Sequence, residues 1–322
     1  MPLLRPTRRE LFKIAAAMPA LTLPLAARAD LGKPAMDNPT RFSFSLGDAQ
    51  MTILSDGYLE LPVGGLGVNV EPVEVQNFLS SYFLSPETNY SHTNHLLVEI
   101  GEAKVLVDVG SGDRFLPTAG RLLANLDAAG IDPATITHVV ITHAHPDHIW
   151  GIRDEFDEAI FPDAQYFIGQ DEHAYWMQDG LASQVPTEMQ QFVVGAQNSI
   201  NVEGADWTLL ADGQEVVPGL RVIATPGHTP GHLSVVIESA GQQFMALGDS
   251  MNHAYMNFAK PDWYNGFDMD GAQTVATRRR LLDMAAADRI AVLGYHFPFP
   301  GVGHVMRDGD AYRFVPALWQ FG

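Results

Sequence analysis

The sequence predicts an α/β fold in which two sheets carry helices on their outer faces. Short apolar runs bounded by Gly, Pro and Asp recur through most of the chain and read as strands. They form two series, and each series is followed by a stretch of helical periodicity, an order that suits two packed sheets with helices outside. Hydrophobic residues make up 46% of the 322, enough for a substantial core and too many for a disordered chain.

The first element is a targeting segment rather than part of the fold. Thr7-Arg8-Arg9-Glu10-Leu11-Phe12-Lys13 has the twin-arginine pattern and an apolar run from Ile14 to Ala27 follows it. Ala27-Arg28-Ala29 supplies the small residues of a cleavage site. Residues 1–29 are therefore expected to be a twin-arginine signal peptide cut between Ala29 and Asp30, which places the mature protein in the periplasm. The run is shorter than the roughly 20 residues of a spanning helix and is broken by Pro19 and Pro24, so no stable membrane span is expected after cleavage. Residues 30–41 read as a linker and 42–322 as the folded domain.

Within the domain, Phe42-Ser43-Phe44-Ser45-Leu46 alternates strictly, Gly47-Asp48 turns the chain, and Met51 to Leu54 continues as a second strand. Asn94 to Ile100 and Lys104 to Val109 form another hairpin-like pair around Gly101-Glu102. Asp108 closes that pair just ahead of Gly110-Ser111-Gly112, where it is either a turn cap or a partner that orients a metal ligand. Helical periodicity runs from Pro117 to Ala129 through Leu122, Leu123 and Leu126 and ends at Gly130. A strand from Thr137 to Ile141 follows, then a short strand from Ala164 to Ile168, a helical turn from Glu172 to Gln178 and a helix from Thr187 to Ser199. The second series of strands covers Trp207 to Leu210, Glu215 to Ala224, Leu233 to Ile237 and Gln243 to Leu247. A helix from Gly271 to Ala287 and a strand from Ile290 to Tyr295 complete it.

Charge and cysteine content narrow the function. The chain has 19 basic and 38 acidic residues; without residues 1–29 the count is 14 against 37, a net charge of −23. Such a surface repels phosphate backbones, so nucleic acid is not expected as a partner. With no cysteine, disulfides and Cys-based zinc sites are excluded, and any metal must be held by His, Asp and Glu.

Those residue types are concentrated where the strand ending at Ile141 gives way to Thr142-His143-Ala144-His145-Pro146-Asp147-His148. Imidazole nitrogen and carboxylate oxygen are the ligands favoured by zinc and similar divalent ions. The i, i+2 spacing puts His143 and His145 on one side of an extended segment. Pro146 starts a turn from which Asp147 and His148 can face a second ion. Three later residues also stand at the ends of apolar strands: His228 in Thr225-Pro226-Gly227-His228-Thr229-Pro230-Gly231-His232, Asp249 after Phe244 to Gly248, and His296 after Ala291 to Tyr295.

This order, H-x-H-x-D-H, then His, Asp and His, closely resembles the metallo-β-lactamase superfamily from about Phe42 onward. The resemblance implies a four-layer αβ/βα sandwich with its active site on one edge, and two divalent metal ions, usually Zn2+. By position, His143, His145 and His228 would hold the first ion, Asp147, His148 and His296 the second, and Asp249 both. It also favours the orienting role for Asp108. Asp249 distinguishes the chain from true β-lactamases of this type, and the acidic surface from the nuclease branches. Leu54-Ser55-Asp56-Gly57, Leu106-Val107-Asp108-Val109-Gly110, Phe299-Pro300-Gly301-Val302-Gly303-His304 and Tyr312-Arg313-Phe314-Val315-Pro316 are similar to the group containing methyl parathion hydrolase, beside the acyl-homoserine lactonases.

The activity so implied is hydrolysis of a small neutral ester, lactone or aryl phosphotriester. Two ions joined by Asp249 would share a water and lower its pKa, giving a hydroxide nucleophile near neutral pH. Asp147 reads as a ligand that also shuttles protons. Phe115, Trp176, Phe192, Met251, Phe297 and Phe299 flank the ligand-bearing segments and match apolar pocket positions of that group, although each also reads as a core residue. His232 is either a partner behind the ligands or part of a structural turn. His92, His95, His138, His173, His253 and His304 receive no role. A glyoxalase II-like thioesterase and a non-catalytic zinc-binding protein are the alternatives; the first needs basic residues for an anionic thioester, and the second is usually a closed, Cys-bearing site. A homodimer is left open.

Overall fold

The computed structural model describes residues 38–318. The signal peptide expected over 1–29, and the linker as far as residue 37, lie outside the described residues. From Thr40 the chain folds as one unit. Its first sheet has seven strands hydrogen-bonded in chain order: β1 Arg41–Leu46, β2 Ala49–Pro62, β3 Thr88–Ile100, β4 Ala103–Val107, β5 His138–Ile141, β6 Gln165–Gly169 and β7 Trp207–Leu210. The second has β8 Glu215–Val217, β9 Leu220–Ala224, β10 Leu233–Ser239, β11 Gln242–Ala246, β12 Ala291–Leu293, β13 Val302–Asp308 and β14 Ala311–Pro316, again each beside the next.

Side-chain alternation along the strands builds the layers. Successive residues of a strand face opposite ways. In β4, Val105 and Val107 enter the core between the sheets while Leu106 faces outward; in β5, Val140 faces in while Val139 and Ile141 face out. From the other sheet, Val235 and Ile237 of β10 and Phe244 of β11 meet them, while Val236 and Met245 face the opposite layer. The helices cover the two outer faces. They are α1 Pro72–Ser81, α2 Leu122–Ala128, α3 Pro146–Ile149, α4 Gln170–Trp176, α5 Thr187–Ile200, α6 Met256–Ala259 and α7 Gly271–Asp288. Leu122 and Leu126 of α2 and Val193, Ala196 and Ile200 of α5 pack on the first sheet; Leu281, Leu282 and Ala285 of α7 pack on the second. The result is the four-layer αβ/βα sandwich that the sequence predicts. No helix among the described residues is long and apolar enough to cross a membrane.

Three expectations need correction. The helix expected from Pro117 begins only at Leu122, because the buried Asp56 carboxylate captures the chain first. Asp56 accepts from the N–H groups of Gly120 (3.0 Å), Leu122 (2.6 Å) and Ser111 (3.3 Å), and Gly120 takes a left-handed φ of 81°. Burial pushes the Asp56 carboxyl up to about 6, against the pull of those donors. The run from Glu215 to Ala224 is two antiparallel strands rather than one, reversed at Pro218-Gly219. Trp207 to Leu210 belongs to the first sheet, parallel to β6, rather than opening the second series. Helices α1 and α6 and the β13–β14 hairpin are additional.

Strand direction decides where the chemistry goes. β4, β5 and β6 run parallel, as do β11 and β12. The segments leaving β4, β5, β11 and β12 therefore emerge at their C-terminal ends, and those segments carry Asp108, His143–His148, Asp249 and His296.

Candidate metal centre

All seven expected ligands converge, and all are buried. His143 Nε2 lies 3.1 Å from His145 Nδ1, which lies 2.9 Å from His228 Nε2. His296 Nε2 is 3.0 Å from Asp249 Oδ2 and 3.4 Å from Asp147 Oδ2. His148 Nε2 is 3.4 Å from Asp249 Oδ1 and 3.5 Å from Asp147 Oδ2. Asp249 Oδ2 is also 3.4 Å from His228 Nε2, so this one carboxylate touches both groups.

The outer nitrogens explain why these rings face inward. The His228 Nδ1–H donates to Asp268 Oδ1 at 3.0 Å, and the His296 Nδ1–H to the His92 carbonyl at 2.8 Å. The His148 Nδ1–H donates to Asp108 Oδ2 at 2.9 Å. The Thr142 hydroxyl donates to the same carboxylate at 2.8 Å and so accepts from His143 Nδ1 at 3.1 Å. Each partner fixes a tautomer and turns Nε2 inward. Asp108 is thus an orienting partner, held at the left-handed φ of 60° that aims its carboxylate back over β5. His232 has the same kind of duty: its Nε2 accepts the Asp249 backbone N–H at 2.9 Å, and its Nδ1 meets Thr225 Oγ1 at 2.7 Å. Burial lowers His232 to about 3, which keeps it neutral and able to accept.

The donor set fits a divalent cation. Asp147 Oδ2, His148 Nε2 and Asp249 Oδ1 are buried with no hydrogen-bond partner, an arrangement that costs stability unless something positive sits among them. Three sets of three ligand atoms lie within coordinating reach of one another: His143, His145 and His228; His143, His148 and Asp249; Asp147, His148 and His296. The imidazoles differ in charge. Burial, helped by neighbouring histidines, drives His143 and His145 well below the usual histidine range. Burial also works against protonation of His148 and His296, but the carboxylates of Asp147 and Asp249, with Asp108 at His148, prevail and raise both.

A cleft opens onto this centre, lined by Leu59, Leu61, Leu66, Phe115, Phe192 and Phe267, by the neutral polar Asn89, Ser91, Asn252 and Asn265, and by His145, Asp147, His228, Asp249 and His296. Phe115 and Phe192 stand where the sequence places them. The other four expected pocket residues do not line it. Trp176 is fully buried behind His145, their ring centroids 5.9 Å apart. Met251 and Phe297 pack in the core under α7, and Phe299 packs against the core between the sheets. Leu59 and Leu61 reach the cleft because β2 runs eight residues past Leu54 to Pro62, an extension the sequence reading did not include.

Sequence reading also passed over several supporting groups. Asp268 holds His228; the His92 carbonyl holds His296; Tyr295 stacks on His148 at 3.9 Å between centroids and donates its hydroxyl to the Asp147 carbonyl at 2.5 Å. His95 lies 3.0 Å from that hydroxyl. Of these only Tyr295, which adjoins His296, carried a signal in its position, and it is a weak one; Asp268, His92 and His95 lie far in sequence from the ligands they support.

Residues 89–296 match the metallo-beta-lactamase superfamily. The chain belongs to it. Among members of the superfamily, an N-acyl homoserine lactonase from a Bacillus species is 24% identical over 220 residues, which is 62% of this chain and 79% of the relative. The dizinc quorum-quenching lactonase AidC, solved in complex with a product, superposes with a TM-score of 0.77 at 25% identity over 87% of this chain and 98% of its own. The hydrolase AbOPH superposes with a TM-score of 0.79 at 27% identity, covering 88% and 99%. The chain is a metal-dependent hydrolase of the metallo-beta-lactamase superfamily.

Proposed function

We propose that this superfamily member is an exported, binuclear metal-dependent hydrolase of small neutral esters, with lactones as its favoured class and aryl phosphotriesters within reach. The observation that carries the substrate class is the cleft: beyond the expected ligands its lining is apolar and aromatic with the neutral side chains of Asn89, Ser91, Asn252 and Asn265, and among the described residues lining it there is no Lys or Arg. The remote charges of an anionic thioester, held away from the proposed ions, would find no Lys or Arg to pair with there, at a cost of about 2 kcal/mol or more. The similarity to lactonases supports the same reading.

His143, His145 and His228 would hold one ion, Asp147, His148 and His296 the other, and Asp249 would contact both. Two zinc ions bound there supply an activated water near neutral pH and a Lewis acid for the oxygen under attack. The protein's part is to aim the ligands through Asp108, Asp268, Thr142 and the His92 carbonyl, and to seat the ester against Phe115 and Phe192. Asp147, which lines the cleft, would pass a proton to the departing alcohol.

A panel of an aryl acetate, dihydrocoumarin, an acyl-homoserine lactone, methyl paraoxon, a cephalosporin and a glutathione thioester tests this. Neutral esters and lactones are expected to exceed the glutathione thioester in kcat/KM by roughly 30-fold or more. The reverse order would sink the neutral-ester reading. Export to the periplasm rests on residues 1–29. The mature protein is expected to begin at Asp30, and an exported protein that retains Met1 would exclude cleavage there.

A further inference from the structure

Glu172 lies in the first turn of α4, distant in sequence from all seven expected ligands, yet its carboxylate is fully buried and accepts four hydrogen bonds. Oε1 takes the Ala144 N–H at 2.9 Å and the Trp176 indole N–H at 2.6 Å. Oε2 takes the Thr229 hydroxyl at 2.6 Å and the Gly231 N–H at 3.1 Å. Ala144 stands between His143 and His145, and Thr229 directly follows His228. One carboxylate therefore grips both segments that supply the three-imidazole cluster. At their roots the two segments are joined by the Leu233 N–H to the Thr142 carbonyl at 3.0 Å. The packing leaves no slack: a Cβ on Gly231 would stand 1.9 Å from the Glu172 backbone nitrogen.

We propose that Glu172 is a positioning residue that locks the His143–His145 loop to the His228 turn and so sets the spacing of the three imidazoles before a metal arrives. Charge-assisted hydrogen bonds in a dry interior are short and strong, and losing an acceptor there leaves donors that cannot reach water. Trp176, pinned by Oε1, also sets the aromatic face against which His145 rests. The chemistry of the four donors makes the effect of an amide directional. Ala144 N–H and the Trp176 indole can only donate, so the NH2 of Glu172→Gln must take the Oε2 side. The Thr229 hydroxyl can turn to accept from it, but the Gly231 N–H is stranded and the His228 turn is freed.

The inference rests on the proposed ligand role of His143, His145 and His228, and its test reads metal binding rather than turnover. In Zn2+ titrations against a chromophoric chelator, Glu172→Gln is expected to raise Kd about 10- to 100-fold. The visible Co2+ absorption spectrum is expected to change with it. Thr229→Val, which removes one of the four bonds, should shift Kd the same way but less, and serves where Glu172→Gln does not fold. Phe244→Leu, in the core between the sheets, provides a control of matched Tm loss. A Kd that stays at the wild-type value in both Glu172→Gln and Thr229→Val, or one weakened equally by Phe244→Leu, overturns the positioning role alone. A wild-type chain that binds no Zn2+ overturns the ligand assignment with it.

Discussion

Asp249→Ala is expected to lose hydrolysis of neutral esters by about 10³-fold or more, with metal content falling from near two per chain. The reason is geometric. Asp249 is the residue whose two oxygens reach His148, His228 and His296, so its removal takes a ligand from both proposed ions at once. Removing a shared metal ligand forfeits several kcal/mol of transition-state stabilisation, and each 1.4 kcal/mol is about tenfold in rate. The surrounding carboxylate charge also falls, which weakens the hold on any cation that remains. Steady-state kinetics with an aryl acetate and a lactone, beside elemental analysis of the same preparation, checks both halves. A variant that keeps two metals and wild-type turnover would remove Asp249 from the mechanism.

Metal affinity is expected to climb steeply with pH through neutrality. In the metal-free protein the carboxylates of Asp147 and Asp249 hold His148 and His296 above the usual histidine value. A cation must displace those protons, and each one displaced steepens the dependence of affinity by about tenfold per pH unit. His143 and His145, already neutral through burial, add nothing to the slope in this range. The same two histidines make the metal-free fold pH-sensitive. Their folded pKa values lie above the unfolded value near 6.5, so their contribution to stability is fully present below pH 6.5 and is lost as pH rises through the raised values. The Tm of chelator-treated protein is therefore expected to fall over the interval above about pH 6.5, while that of the zinc-loaded protein does not follow it. A chelated protein whose Tm rises over that interval would contradict the assignment of charge.

Much of this centre is legible in the sequence because its ligands lie at the ends of apolar strands. A strand announces itself by alternation, and the residue that follows its last apolar position is delivered to the sheet edge. That is how Ile141 leads to His143, Leu247 to Asp249 and Leu293 to His296. The boundaries that went astray did so for tertiary reasons. Leu122, Leu123 and Leu126 carry a helical period back towards Pro117, but nothing local says that Asp56, about 60 residues earlier, will hold the Gly120 and Leu122 N–H groups and delay the helix. Trp207 to Leu210 reads as a strand from its composition, yet its sheet is chosen by pairing with β6.

The pocket shows the limit most clearly. Phe115, Phe192, Met251 and Phe297 are all apolar, and Met251 and Phe297 are the two that stand beside a ligand in sequence, Asp249 and His296. Two face the cleft and two are core, because the direction of a side chain depends on the face of the element that carries it and on what packs there. By itself the sequence determined the two-sheet class, the residue types that hold a metal and the order in which they occur. Only the tertiary structure decided which atoms orient those ligands, since Asp268, Glu172, the His92 carbonyl and Tyr295 act across 28 to 204 residues of chain. Hydrogen bonds over such separations leave no periodic trace in the sequence; they exist once the sheets have brought their ends together.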